Sequence, residues 1–392
     1  MISFEIGNYL YKRNVGQHLT DMNEPKKHHY IPQSYLRNFA HEIKKKKDGD
    51  EYYVHVRFRG EKFHSVNVSN ICAETYLYTI PGVDDANKNI IEKYYANNID
   101  NLFSVIYDFV TDDTQKILSS DLRLKLVTAC LCLYIRTPSF LEKIGEEYSN
   151  LLENLRKYHF GYSEKSIVSF FNRKINLQNL NYDILKADIE NKNKAIILRE
   201  HFQILNEFID FKLNDGIGIV KLVDDSEFIT GDNPLIIRDL STGDFFDLFD
   251  SNNVIHLPIN NKYLISLLPH NDISSKNTFN RIESDIIEAL VINYDIEKNS
   301  KNWIIGNPDS IYKHIEDQEK YNEETPENYQ IIEDTVKKTH LVNSMESLLR
   351  QKNYKIDKEF IDKVVEISEN PLMKNDPNMI RIIENFKTEG RL

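Results

Sequence analysis

Residues 122–134 read LRLKLVTACLCLY, an almost continuous apolar stretch of the 392-residue chain. Ser119 or Ser120 just before it can cap a helix, and Pro138 just after it interrupts one. A membrane-spanning helix needs roughly 20 apolar residues, so this shorter run predicts a helix buried in a protein core. The fold is therefore predicted to be built around a helical body.

Further helical patterns lie on both sides of this stretch. From Asn87 to Ile106, apolar residues recur every three and four positions, which predicts one long amphipathic helix. The same period predicts additional helices over residues 139–159, 182–213, 279–293, 335–351, 358–368 and 378–386.

Short β-branched and aromatic runs between turn residues predict strands. Residues 52–58 and 62–68 flank Arg59-Gly60 with alternating side chains, which predicts a hairpin. Further runs predict a small sheet over residues 217–223, 228–229, 235–237, 254–257 and 263–267. The predicted fold class is α+β, a mostly helical body with a small, mainly antiparallel sheet and an amino-terminal hairpin.

Three regions are predicted along the chain. Residues 1–86 form the amino-terminal motif and hairpin region, residues 87–306 form a helical core with a small sheet, and residues 307–392 form a carboxy-terminal helical extension. The acidic segment 315–333 is predicted to be a linker or a loose surface element.

The formal charge of −12 argues against a general nucleic-acid coat, because Lys and Arg contacts to phosphate dominate such binding. Residues 1–65, however, carry 12 Lys and Arg against 8 Asp and Glu, a net of +4, and half of the 12 histidines. Chemistry or phosphate contact is therefore expected there, with a solvated basic loop as the alternative. Three cysteines, no secretory signal and no membrane-length run predict a cytoplasmic protein without membrane association.

The densest motif is KKHHYIPQSYLRNF at residues 26–39. Its adjacent imidazoles, His28 and His29, suit metal ligation or general-base work, and Lys26 and Lys27 beside them suit a phosphate. Tyr35, Leu36 and Phe39 have helical spacing and are expected to pack a short helix into the core. A purely structural role for the histidine pair remains the alternative.

Two other positions are candidates for the same site. Asp232 lies in the turn TGDNP at residues 230–234, where its carboxylate either bonds its own backbone or faces the histidine pair. Arg136 ends the apolar helix and needs a partner, either an internal carboxylate such as Glu74 or Glu92 or a ligand phosphate. Cys72, Cys130 and Cys132 are interpreted as core residues.

These motifs resemble, in order, those of the domain-of-unknown-function 4238 family: HHYIPQSYLRNF, NICAETYLY at residues 70–78, RTP at 136–138 and FITGDNP at 228–234. The family name itself assigns no activity. The His28-His29-x-x-Pro32 core is also similar to the first strand of HNH endonucleases, which implies that His28 contacts a divalent metal and His29 activates water. This chain departs from that pattern because no His closely follows Cys72.

The resulting hypothesis is a metal-dependent nuclease in bacterial phage defence or toxin activity. His29 would be the base, and His28 and Asp232 would bind Mg²⁺, Mn²⁺ or Zn²⁺ or orient the base. Lys26, Lys27, Arg37 and Arg136 would bind the nucleic acid substrate. No nucleotide cofactor motif is present. The competing hypothesis is a non-catalytic sensor or adaptor that binds a protein partner, and the oligomeric state is open.

Overall fold

The architecture is taken from a computed structural model. The structure describes residues 26–58, 61–80, 88–161, 167–170, 173–176, 204–239, 243, 253–269, 278–314, 334–343, 345–346, 362, 365, 368–369, 373–390 and 392. Most of the helix predicted over 182–213, the end of the helix predicted over 335–351, most of the helix predicted over 358–368 and the linker predicted over 315–333 lie outside these residues.

Ten helices are numbered here within the described residues. They are α1 (Gln33–Leu36), α2 (Ile90–Asn98), α3 (Leu102–Thr111), α4 (Ser120–Ile135), α5 (Pro138–Gly161), α6 (204–212), α7 (Ile286–Asn299), α8 (308–314), α9 (334–343) and α10 (Pro377–Thr388). The prediction for α4 is confirmed: its residues from Leu126 to Leu133 are all buried, and the Ser119 hydroxyl accepts the Leu122 N–H at 3.1 Å.

Fourteen strands are described. They are β1 (Lys27–His29), β2 (Glu42–Lys44), β3 (Glu51–Phe58), β4 (His64–Asn67), β5 (Ala73–Thr75), β6 (Ile167–Phe170), β7 (Arg173–Asn176), β8 (Gly216–Leu222), β9 (Thr230–Gly231), β10 (Ile236–Asp239), β11 (Asn253–Pro258), β12 (Tyr263–Leu268), β13 (Asn280–Ser284) and β14 (Trp303–Gly306). The predicted hairpin is confirmed, because β3 and β4 pair antiparallel.

The prediction of a mostly helical body with one small sheet is wrong. The first of two five-stranded sheets has the order β10-β11-β12-β8-β13, with β13 parallel to β8. The second contains β2, β3, β14 and β9 in that order, with β4 on β3. The amino-terminal hairpin thus shares a sheet with two strands from much later in the chain, because β14 pairs with both β3 and β9. Such pairing depends on long-range contacts, which local patterns do not specify.

The first sheet is covered by helices on both faces. On one face, alternate residues such as Ile219 and Ile265 belong to the large core that also contains residues of α3 and α4. On the other face, Val220 and Leu264 pack with α7, while Leu268 packs with residues of α9 and α10. Both faces are therefore apolar, as expected of a central layer in a three-layer arrangement.

Two helix predictions need correction. Residues 279–293 begin as strand β13 and become helix α7 only after Asp285, whose side chain caps the helix by accepting the Ile287 N–H. The long helix predicted from Asn87 is two helices, α2 and α3, separated at residues 99–101. Among the residues described, no single helix is long and apolar enough to cross a membrane, although α4 and Pro138–Glu146, bent by 66°, meet that test as a pair.

Candidate functional site

Strands β1 and β5 and helix α2 form a small unit that carries the histidine pair. The strands are antiparallel, and His28 lies opposite Glu74. Helix α2 adjoins them through Tyr95, whose ring packs 5.3 Å from the ring of Tyr78 just after β5. Because successive side chains of a strand point to opposite faces, His28 and His29 enter different surroundings.

His28 has a structural environment. Its side chain is fully buried, and its Nδ1 accepts the backbone N–H of Tyr78 at 3.0 Å. The imidazole also stacks on the Tyr78 ring, with ring centroids 5.9 Å apart. These contacts attach β1 to the segment after β5 and occupy the ring nitrogen that a metal would need.

His29 is partly exposed and suited to act as a base. Its Nε2 lies 3.2 Å from the Ser69 carbonyl oxygen. A carbonyl only accepts hydrogen bonds, so Nε2 carries the proton and the lone pair is on Nδ1. Burial lowers the pKa of His29 below its usual 6.5, Arg136 and Lys27 lower it further, and the Ser69 contact opposes them. The imidazole is therefore neutral at pH 7.

Arg136 is the buried cation at the centre of this site. Its guanidinium donates to the Asp100 carboxylate at 2.7 Å and to the His29 carbonyl oxygen, and it lies 4.2 Å from the Tyr95 ring centroid. The prediction of an internal ion pair is thus confirmed, but the bonded partner is Asp100 rather than Glu74 or Glu92. Arg136 orients β1 and sets the local potential, and its burial keeps it from direct contact with a large substrate.

Glu92 on α2 was not predicted to be a site residue. Burial raises its pKa to about 7, and Asp100 raises it too, while Arg136 and the His29 N–H act in the opposite direction. A carboxyl group with this pKa is protonated in part at neutral pH and can donate a proton. The available signal was an acidic residue one helical turn before Tyr95, a buried residue of the same helix.

Three of the four predicted phosphate-binding residues are at the surface, whereas Arg136 is buried. Lys26 and Lys27 are exposed at the start of β1, and Lys27 is close enough to His29 to lower its pKa. Arg37 is exposed after α1, with its guanidinium 5.0 Å from the Tyr52 ring centroid. The two lysines therefore accompany His29, whereas Arg37 lies against strand β3.

Asp232 also has a structural environment. Its buried carboxylate accepts the backbone N–H groups of Lys301 and Asn302, each at 2.8 Å. Burial raises its pKa, and these two bonds oppose the increase. The charge of Asp232 raises the pKa of Tyr30, which follows His29 in the chain, and of Cys72, which directly precedes strand β5. The carboxylate oxygens themselves bind the loop before β14. These hydrogen bonds connect the TGDNP turn to the loop before β14.

Helix α1 connects the two motifs. The Tyr35 hydroxyl lies 2.8 Å from the Thr230 hydroxyl and donates to the Pro258 carbonyl oxygen at 2.8 Å. All three groups belong to the core, where unpaired polar atoms are costly. The histidine motif and the TGDNP turn are therefore joined through Tyr35, and the predicted metal ligands are held in other contacts.

The residues do not fit the metal that the HNH resemblance implies. His28 Nδ1 and the Asp232 carboxylate each accept backbone N–H groups. Across the part of the chain that the structure describes, no group of three or more His, Cys, Asp and Glu side chains is arranged to hold a metal ion. The side chains of His28 and Asp232 therefore bind backbone N–H groups rather than a metal ion.

We expect Gly231→Ala to lower the free energy of unfolding by about 1–3 kcal/mol. A Cβ at Gly231 would lie 2.9 Å from the Trp303 carbonyl oxygen and would also collide with the Ser300 side chain. The matched control is Gly218→Ala in β8, where the nearest atom to the added Cβ, Ser266 Cβ, is 3.6 Å away. Urea unfolding followed by circular dichroism measures both, and equal losses would contradict the prediction.

Comparison with known proteins agrees with the motifs. The model of a protein family of unknown function, DUF4238, matches residues 27–310. No curated protein and no solved structure matches the chain. The matched region covers most of the 392 residues and includes all four motifs. The chain therefore belongs to the DUF4238 family.

Proposed function

We propose that this protein is a phosphodiester hydrolase, a nuclease that works by acid–base catalysis at His29 and Glu92. One observation carries the proposal: the Glu92 carboxyl group accepts the backbone N–H of His29, and Arg136 and Asp100 act electrostatically on both residues, so a neutral imidazole and a partly protonated carboxyl group belong to one neighbourhood. Pairs whose surroundings give them opposite protonation preferences are typical of general acid–base catalysis.

Each residue has a role in the proposed reaction. His29 Nδ1 takes a proton from the attacking water, and the new oxygen–phosphorus bond forms as the bond to the leaving oxygen breaks. The Glu92 carboxyl group donates its proton to that oxygen. Lys26 and Lys27, which are exposed beside His29, attract the phosphate. Arg136 is a positioning residue, since it holds the His29 backbone and Asp100.

The test compares His29→Gln with wild type on DNA and RNA substrates, with chelator present. We expect a loss of at least about 100-fold in cleavage rate, because positioned acid–base groups contribute roughly 10²–10⁴-fold. The control is His64→Gln, an exposed histidine on strand β4 of the second sheet, which should leave the rate unchanged. The proposal fails if the folded wild type cleaves neither substrate or if both variants behave alike.

A second candidate function follows from the burial of two motif residues. His28 and Asp232 bond to the backbone and hold the fold together, as the sensor or adaptor hypothesis requires. Absence of cleavage in the assay above would favour that hypothesis. In either case we propose a cytoplasmic role, and a nuclease role in phage defence or as a toxin predicts that expression of wild type, but not of His29→Gln, slows bacterial growth.

A further inference from the structure

A cluster of polar side chains is buried between the first five-stranded sheet and helices α7 and α9. His256 and Ser266 face it from neighbouring strands, and Asp295 and His340 face it from the helices. Burial of polar groups is costly unless they are paired or have a function. This cluster is separate from the His29 site, because it lies on the face of the sheet that carries α7.

A cavity of about 80 Å³ adjoins the cluster. Its polar lining comprises His256, Ser266, Glu283, Glu288, Asn343 and Glu346, with Ser284 beside them. One bound water needs roughly 10–15 Å³ of such space, so several non-hydrogen atoms fit. Glu283 is exposed and marks the mouth, whereas His256 and Ser266 are buried and mark the floor.

His256 gives the cavity a ligand-binding atom. Its Nδ1 is 2.8 Å from the Ser266 hydroxyl, while its Nε2 is buried and has no hydrogen-bond partner within the described residues. The ring of His340 is 5.1 Å away between centroids. Burial, and next the charge of His340, lower the pKa of His256, so its imidazole is neutral. When Nδ1–H donates to the Ser266 hydroxyl, the lone pair of the neutral ring lies on Nε2, which can then accept a hydrogen bond from a ligand.

The charge of the lining is negative. Glu283, Glu288 and Glu346 contribute carboxyl groups, and no described lysine or arginine lines the cavity, although Arg381 lies 3.5 Å from Glu346 and the charge of Arg238 acts on His256. The Asn343 amide donates to Glu288. Among the described residues, no group of three or more His, Cys, Asp and Glu side chains is placed to hold a metal ion, so the cavity suits an organic cation better.

We propose that this cavity binds a small organic cation, a primary ammonium or guanidinium group, whose N–H groups donate to Glu288 and to His256 Nε2. The cation would enter past the exposed Glu283 and reach the buried His256. Helix α9 contributes Asn343 to the lining and helix α7 contributes Glu288. The bound cation would therefore also connect these two helices to the sheet.

The test is calorimetric titration of the full chain with methylammonium, ethylammonium and guanidinium at millimolar concentration and constant ionic strength. At least one of them is expected to bind saturably, while urea, the neutral analogue of guanidinium, is not. Glu288→Gln should raise the Kd at least tenfold, and Asp121→Asn, an exposed change on α4, should leave it unchanged. Ser284→Leu, in the lining next to Glu283, should block binding without removing a charge.

The dependence on pH provides an independent check. Burial raises the pKa of Glu288 to about 7, so the carboxyl group is mostly neutral at pH 6 and mostly charged at pH 8. A cation binds the charged form, so affinity should rise by about tenfold over that interval. Absence of saturable binding, binding that Glu288→Gln leaves intact, or tighter Glu288-dependent binding of Mg²⁺, Mn²⁺ or Zn²⁺ would each overturn the proposal.

Discussion

Replacing Asp295 with alanine is expected to lower the free energy of unfolding by about 3–5 kcal/mol, because it removes one partner of a buried charge pair. Asp295 and Arg238 are 0% and 1% exposed, and Arg238 Nε donates to the carboxylate at 3.1 Å. His340 Nε2 lies 2.6 Å from the same carboxylate. Burial alone would raise the pKa of Asp295, but His340 and Arg238 outweigh it and lower the pKa.

Urea unfolding at pH 7 measures this loss. Asp121→Ala, which removes an exposed pair with Lys125, should change stability by only about 0.5 kcal/mol. Combining Asp295→Leu with Arg238→Met should recover much of the loss, because apolar replacements of similar volume avoid the desolvation of charges. A cost below about 1 kcal/mol for Asp295→Ala would mean that water reaches the pair.

Local sequence patterns correctly predicted the elements whose own residues determine where they are buried and how they pair. Helix α4 follows a capping serine and is buried from Leu126 to Leu133, a run with no charged residue, so its place in the core follows from its residues. The β3–β4 hairpin follows from alternation around a short turn. These predictions required no knowledge of which segments meet in space.

The partition of strands into sheets depends on contacts between distant residues. Strand β13 illustrates this, because its side chains carry no clear alternation of burial and its partner is β8, about 60 residues earlier. Helix α7 follows β13 directly. Because the apolar residues of both elements were read as one helical pattern, the helix was predicted to begin at Phe279. Only the pairing with β8 determines that residues 280–284 are extended.

The partner of Arg136 was missed for a related reason. Asp100 lies in the break between α2 and α3, and the Ser34 hydroxyl donates to the Asp100 carbonyl oxygen there. A continuous helix would carry Asp100 away from its observed position. The two asparagines before it and the one after it, at 97, 98 and 101, were a local signal for a helix end. The contact that stabilises the break comes from the histidine motif, 66 residues away.

The cleavage rate is expected to depend on pH as a bell-shaped curve with its maximum on the acidic side of neutrality. His29 is the base and works only when neutral, so the rate falls as pH drops through its pKa, which burial lowers below 6.5. Glu92 is the acid and works only when protonated, so the rate falls as pH rises above about 7. Each limb should approach a tenfold change per pH unit.

Variants assign the two limbs of this curve to residues. Glu92→Gln should cost about 100-fold at the optimum and remove the alkaline limb, because no proton is lost near pH 7 from the amide. Glu142→Gln, an exposed change on α5, should keep the wild-type curve. A rate that keeps rising through pH 8 in the wild type would instead indicate a hydroxide nucleophile and would remove Glu92 from the mechanism, since a deprotonated carboxylate cannot protonate the leaving oxygen.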